Sequence, residues 1–229
     1  MGSDLAAHMG GRVSMSALAT VALAMMMANG SVPPAAADPA AADASSRTVT
    51  VRLHDYAELD DDEVNAAQRQ VSEIFGTIGV IVEWRTTVRP SRIKMGRESW
   101  PADPVPALTV LALTPAMARR IGIREDVAGY AAVSPQDGGS VAFMVAERTR
   151  RIAECARLSH ARVAAGVIAH ELAHLLMPNR PHAHDGLMRA NWQPWDFRFS
   201  FAHAFSAVEG EIIRRGVARL ARTAQHADN

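Results

Sequence analysis

Two histidines, His170 and His174, stand four residues apart in a run rich in alanine and leucine, with Glu171 directly after the first. On a helix, positions i and i+4 share a face, so both imidazoles can converge on one ion. Neutral imidazole binds zinc at about 2.0–2.1 Å, and a site with three protein ligands keeps a fourth position for water, whose pKa falls to roughly 7. Glu171, rotated about 100° from His170, is placed to act as general base rather than ligand. One helix would thus supply two ligands and a base for metal-assisted hydrolysis and lack only the third ligand.

Pro178 stops that helix, and the candidates for the missing ligand follow at once: His182, His184 and Asp185, then Gly186-Leu187-Met188. This stretch resembles the metzincin group of zinc metallopeptidases, whose pattern is an HExxH helix, a turn, a third histidine and a methionine-bearing turn beneath the metal. The wording H-E-L-A-H-L-L followed by H-A-H-D-G-L-M-R is similar to uncharacterised bacterial secreted metalloproteases. The resemblance implies His170, His174 and His182 as ligands of Zn2+, Glu171 as catalytic base and Met188 as the Met-turn residue. It also implies an α+β, single-domain zincin fold: a mixed twisted sheet with an antiparallel edge strand, an active-site helix and a C-terminal helix.

The pattern departs from the family in its turn. Metzincins place five residues between the second and third histidines, with glycine third; here Met177 takes the glycine's place and seven residues precede His182. Asn179 is the residue suited to the left-handed conformation that glycine would otherwise supply. His182 is favoured because it stands four residues before Gly186, leaving room for the chain to pass under the metal; His184 is its competitor. A zincin with an acidic third ligand would draw on Asp185 or Asp196.

The elements that must position these groups are legible as periodicities. Thr48 to Leu53 alternates as a strand. Asp60 to Glu63 opens a helix, Asp60 capping it and Glu63 completing a capping box, with Val64, Ala67, Val71, Ile74, Phe75 and Ile78 as its buried face. Val80 to Trp84 reads as a strand parallel to the first, and the unbroken apolar run Leu108 to Leu113 as a strand near the sheet centre. Pro115 to Ile121 predicts a short helix. The alternating stretches 127–133 and 141–145 form a hairpin around Asp137-Gly138-Gly139; one strand is either a plain sheet margin or, as the metzincin resemblance implies, the sheet edge over the cleft, where a peptide substrate can pair by strand addition. Arg148 to Arg157 predicts a helix carrying Cys155, the only cysteine, as a buried small residue. His160 is expected at the surface at the start of the zinc helix. The metzincin resemblance implies that Trp192 and Trp195, after the Met-turn, border the substrate; packing beneath the loop is the alternative. Phe201, Phe205, Val208, Ile212, Val217 and Leu220 mark the buried stripe of a C-terminal helix. The tyrosine that assists an oxyanion in some members of the resembling group has no counterpart close after Met188, and Arg189 is a weak substitute.

Residues 13–37 carry no charge, and an apolar core behind Arg12 leads to Pro33-Pro34 and an Ala35-Ala36-Ala37 cleavage site. This is the order of a secretory signal peptide, too short in its apolar run for a membrane span. The organisation expected is signal peptide 1–37, flexible lead-in 38–46 and catalytic domain 47–229, with the mature chain secreted or periplasmic, without a membrane span, and monomeric. The 229 residues are 48% hydrophobic and carry no formal net charge, so nothing marks a nucleic-acid partner; the expected partner is a peptide or protein substrate. The function these residues imply is a secreted zinc metallopeptidase. The competing reading is a non-catalytic, zinc-containing extracellular protein that binds peptides without cutting them.

Overall fold

Alternating apolar residues build a sheet whose two faces are covered by different helices. In a computed structural model of the chain, the residues described are 47–85, 87, 89, 108–134, 138–190, 192, 196–197 and 204–227. The proposed signal segment and lead-in, Trp195 and Phe201 lie outside them. The strands are β1 (Thr48–Asp55), β2 (Ile81–Trp84), β3 (Leu108–Leu113), β4 (Gly129–Ser134) and β5 (Gly138–Val145), and the helices α1 (Asp61–Gly76), α2 (Pro115–Arg120), α3 (Ala146–Ala156), α4 (His160–Leu176) and α5 (Ala207–Ala227). The sheet order is β2-β1-β3-β5-β4. β2, β1, β3 and β5 are parallel to their neighbours, and β4 alone runs antiparallel, at the margin beside β5. The mixed sheet, the antiparallel edge and the single domain are those expected from the sequence.

Side-chain alternation sorts the strands between two faces. Val110, Ala112, Ala142 and Met144 join residues of α1 and α4 in the main core, whereas Leu113 and Val145 pack with Ala118 and Ile123 on the other side, under α2. Helix α4 lies in the middle of the main core: of its residues only Arg162 and His174 escape burial. Its many alanines and Gly166 suit a helix touched on every side, because small side chains let neighbouring elements approach.

Several local expectations are corrected. Asp60 caps α1 by accepting from the Asp62 amide at 2.8 Å, but the Glu63 carboxylate faces His160 at 3.2 Å and Arg150 at 3.7 Å rather than closing a capping box. His160 is buried, not at the surface: its Nε2 meets the Thr149 hydroxyl at 2.8 Å, so the first residue of α4 ties the start of the helix to α1 and α3. Cys155 is exposed rather than buried, because α3 turns Ala153 and Ala156 inward. Of the expected stripe of α5, Val217 is buried with Phe205 just ahead of the helix, and Ile212 and Leu220 pack against the core, but Val208 is 60% exposed; Glu209, Gly210, Ile213 and Gly216 are buried as well. The start of α5 is a capping box invisible to hydrophobic periodicity: the Glu209 carboxylate accepts from the Ser206 amide at 2.8 Å, and the Ser206 hydroxyl accepts from the Glu209 amide at 3.3 Å.

Helix α5 crosses the end of α4 at Gly216, where a Cβ would stand 2.2 Å from the Leu176 carbonyl oxygen. In an exposed helix, Gly→Ala stabilises by roughly 1 kcal/mol. Here the sign reverses, since backbone would have to move, and Gly216→Ala is expected to cost about 1–3 kcal/mol and lower the midpoint in a thermal melt. An unchanged or higher midpoint would show that the crossing is not close. No helix among the described residues is long and apolar enough to cross a membrane.

Candidate metal centre and active site

Helix α4 begins at Ser159, whose side chain accepts from the Arg162 amide at 3.3 Å, and carries His170, Glu171 and His174 in its last two turns. It ends at Met177 ahead of Pro178, and Asn179 takes the left-handed conformation at φ 66°. The returning chain is pinned beneath the helix. The Ala183 amide donates to the Met188 carbonyl at 2.8 Å and the Leu187 amide to the Ala204 carbonyl at 2.8 Å, and the Met188 side chain is fully buried. This return brings His182, and neither His184 nor Asp185, to the helix pair. His174 Nε2 lies 3.0 Å from His170 Nε2 and 3.1 Å from His182 Nε2. One ligand atom from each of the three lies within 4.8 Å of the others. His184 is 97% exposed and pairs with Asp185 at 3.3 Å, while Asp196 stands 3.5 Å from Arg189.

The donor set fits a tetrahedral cation. Zinc–nitrogen bonds of about 2.0–2.1 Å at tetrahedral angles separate ligand nitrogens by about 3.3–3.4 Å, and the two separations from His174, 3.0 and 3.1 Å, come close to that. His170 Nδ1 donates to the Leu187 carbonyl at 2.7 Å, which leaves its Nε2 a bare lone pair facing the centre, the arrangement that outer partners impose on metal-binding imidazoles. A proton on His174 Nε2 could serve only one of its two close nitrogen neighbours, so nitrogen lone pairs are crowded in a way that a cation resolves. Burial also keeps two of the rings neutral: the His170 pKa is pushed down to about 3 and that of His174 to about 4, both chiefly by desolvation.

Glu171 is buried beside them, and the same loss of water pushes its pKa up to about 8. Its seat is made by the edge strand. A Cβ at Gly129, the first residue of β4, would fall 2.5 Å from Glu171 Oε1 and 2.7 Å from Val167 Cγ1, so only glycine lets the strand and the helix approach this closely. The lead into that residue is clamped by Arg148, a buried cation whose guanidinium donates to the carbonyls of Arg124 and Val127. Trp192 lies edge-on to His170 with ring centroids 5.1 Å apart and donates its indole N–H to the Leu187 carbonyl at 3.1 Å. One carbonyl therefore orients both a histidine and the tryptophan that walls it.

Together these groups border a cleft of about 510 Å3 that contains His170, Glu171, His174 and His182, with Gly129, Tyr130, Ala131 and Val133 of β4 along one side and Trp192 and Phe197 on the other. Sequence reasoning missed Gly129, Arg148 and the Leu187 carbonyl. A glycine opening a β-run was visible as a site of close backbone approach, but nothing local tells which element approaches.

No family model matches the sequence, and neither does any curated protein. Among solved structures, archaemetzincin from Methanopyrus kandleri aligns at 14% identity with a TM-score of 0.47, over 74% of this chain and 96% of that one. Metalloproteinase-II from Bacteroides fragilis aligns at 15% identity and 0.48, over 76% of this chain and 54% of its own length.

Proposed function

We propose that the chain is an exported, monomeric zinc metallopeptidase that hydrolyses peptide bonds, with Glu171 as general base. The observation that carries this reading is the convergence of three imidazole nitrogens beside a buried carboxylate in a cleft bounded by a sheet edge. His170, His174 and His182 would hold the metal, which when bound supplies Lewis acidity toward a carbonyl and water. Glu171 takes the proton of the attacking water on a carboxylate oxygen and passes it to the departing amine. Its carboxylate form, disfavoured by burial alone, is favoured by a nearby cation. Among the described residues, strand β4 has β5 as its sheet neighbour on one side only, so the opposite edge offers main-chain groups to an extended peptide. The uncharged segment 13–37 supports export to a secreted or periplasmic location.

Incubation of the purified, zinc-loaded chain with a diverse peptide library, read by mass spectrometry, tests the proposal. Cleavage that disappears with a chelator and returns with zinc is expected. Intact peptides in the presence of stoichiometric zinc would favour a binding protein.

A further inference from the structure

Arg189 follows the buried Met188 and lines the same cleft as His170, Glu171 and His174. Its backbone is placed by the bridge that pairs Ala183 with Arg189 beneath the metal centre. Other arginines of the fold are spent on tight partners: Arg89 meets Asp55 at 3.0 Å and the Leu59 carbonyl at 2.8 Å, and Arg214 meets Glu211 at 2.8 Å and the Ile78 carbonyl at 2.9 Å. The ion-pair partner of Arg189 among the described residues is Asp196, at 3.5 Å, and its side chain stays 43% exposed. Besides Glu171, the acid lining the cleft among the described residues is Asp126, which is engaged by Arg124 at 3.0 Å. Arg189 therefore stands as a loosely tethered cation in a cleft whose walls include Val167, Ile152, Trp192 and Phe197. A planar guanidinium binds carboxylate through two parallel N–H···O bonds, and apolar walls that exclude water strengthen such a pair.

We infer that Arg189 is a specificity-determining residue that holds a substrate carboxylate close to the scissile bond, so that peptides with an acidic side chain or a free C-terminal carboxylate near the cut are preferred. This rests on the peptidase reading above. The two sources share one chemistry and give different enzymes: an acidic side chain makes an endopeptidase with charge preference, and a terminal carboxylate makes an enzyme that trims peptide ends.

The test uses the zinc-loaded full chain, its Arg189→Ala and Arg189→Lys variants, and peptide pairs differing only by Glu against Gln or by free against amidated C-terminus, placed at each position near the cut. The wild-type chain is expected to show kcat/KM about tenfold or more higher for the carboxylate member of at least one pair, consistent with a charge-assisted bidentate contact. Arg189→Ala should bring that ratio to about one, and Arg189→Lys should keep part of it, as a point charge without the fork. Which pair responds names the source. An unchanged ratio in Arg189→Ala, or an equal loss on both members, overturns the inference; equal loss would instead place the residue at the developing oxyanion or in the scaffold. If the wild-type chain cuts nothing, the peptidase reading has failed separately, and calorimetric binding of the same pairs decides the carboxylate site: tighter binding of the acid, lost in Arg189→Ala, sustains it, and equal binding removes it.

Discussion

Glu171→Gln is expected to abolish hydrolysis, by about 10²–10⁴-fold in kcat as for loss of a general base, while the zinc content stays that of the wild type. The same change should stabilise the zinc-free protein above neutral pH. Burial raises the Glu171 pKa from the ordinary 4.5 to about 8, so between those values the folded state holds a proton that the unfolded chain has released. Stability contributed by the protonated form is complete below pH 4.5 and is lost as pH rises through 8. Glutamine keeps the shape without that titration, and zinc-free Glu171→Gln should exceed wild type by about 4 kcal/mol at pH 8 and match it near pH 4. Denaturant melts at the two pH values measure the difference. A constant difference at both would assign the effect to packing. A variant that still cuts at the wild-type rate would remove Glu171 from the mechanism. The cost of holding a carboxylate dry is the stability–activity conflict common at active sites.

The second large effect separates the two downstream histidines. His182→Ala should lose bound zinc, with affinity falling by more than the roughly 10–100-fold that removal of an outer partner costs. His184→Ala should retain stoichiometric zinc, since His184 is 97% exposed and turned toward Asp185. His182 is itself exposed, so its removal leaves the core intact, and the loss is a ligand effect rather than unfolding. Metal content after exhaustive dialysis, alongside thermal melts, reads both variants. Full zinc in His182→Ala would move the third ligand elsewhere in the cleft. In the folded metal-free protein, the rings of His170 and His174 stay neutral until the pH falls to about 3 and 4, respectively, so protons do not compete for those two nitrogens near neutrality.

The elements and the helical half of the centre were legible residue by residue. The apolar run of β3 appears as Leu108–Leu113, Asp60 does cap α1, and the four-residue spacing places His170 and His174 on one helical face because that periodicity is a property of the local backbone. Asn179 takes the left-handed turn for the same local reason, since few side chains tolerate it. Contacts between segments distant in the chain are different. That His182 rather than His184 stands beside the helix pair depends on how the chain returns under α4, where the Ala183 and Leu187 amides bond to the Met188 and Ala204 carbonyls. The close crossing of Gly216 over Leu176 joins segments forty residues apart, and buried His160 finds its partners in α1 and α3. Gly129 has a meaning only once β4 is laid against Glu171. Sequence periodicity by itself determined where most helices and strands lie and that His170, Glu171 and His174 share one helix, because backbone geometry repeats over a few residues. Tertiary structure alone decided which distant groups complete the centre and how deeply Glu171 is dried, because those depend on the packing of whole elements, where one close contact outweighs local preference.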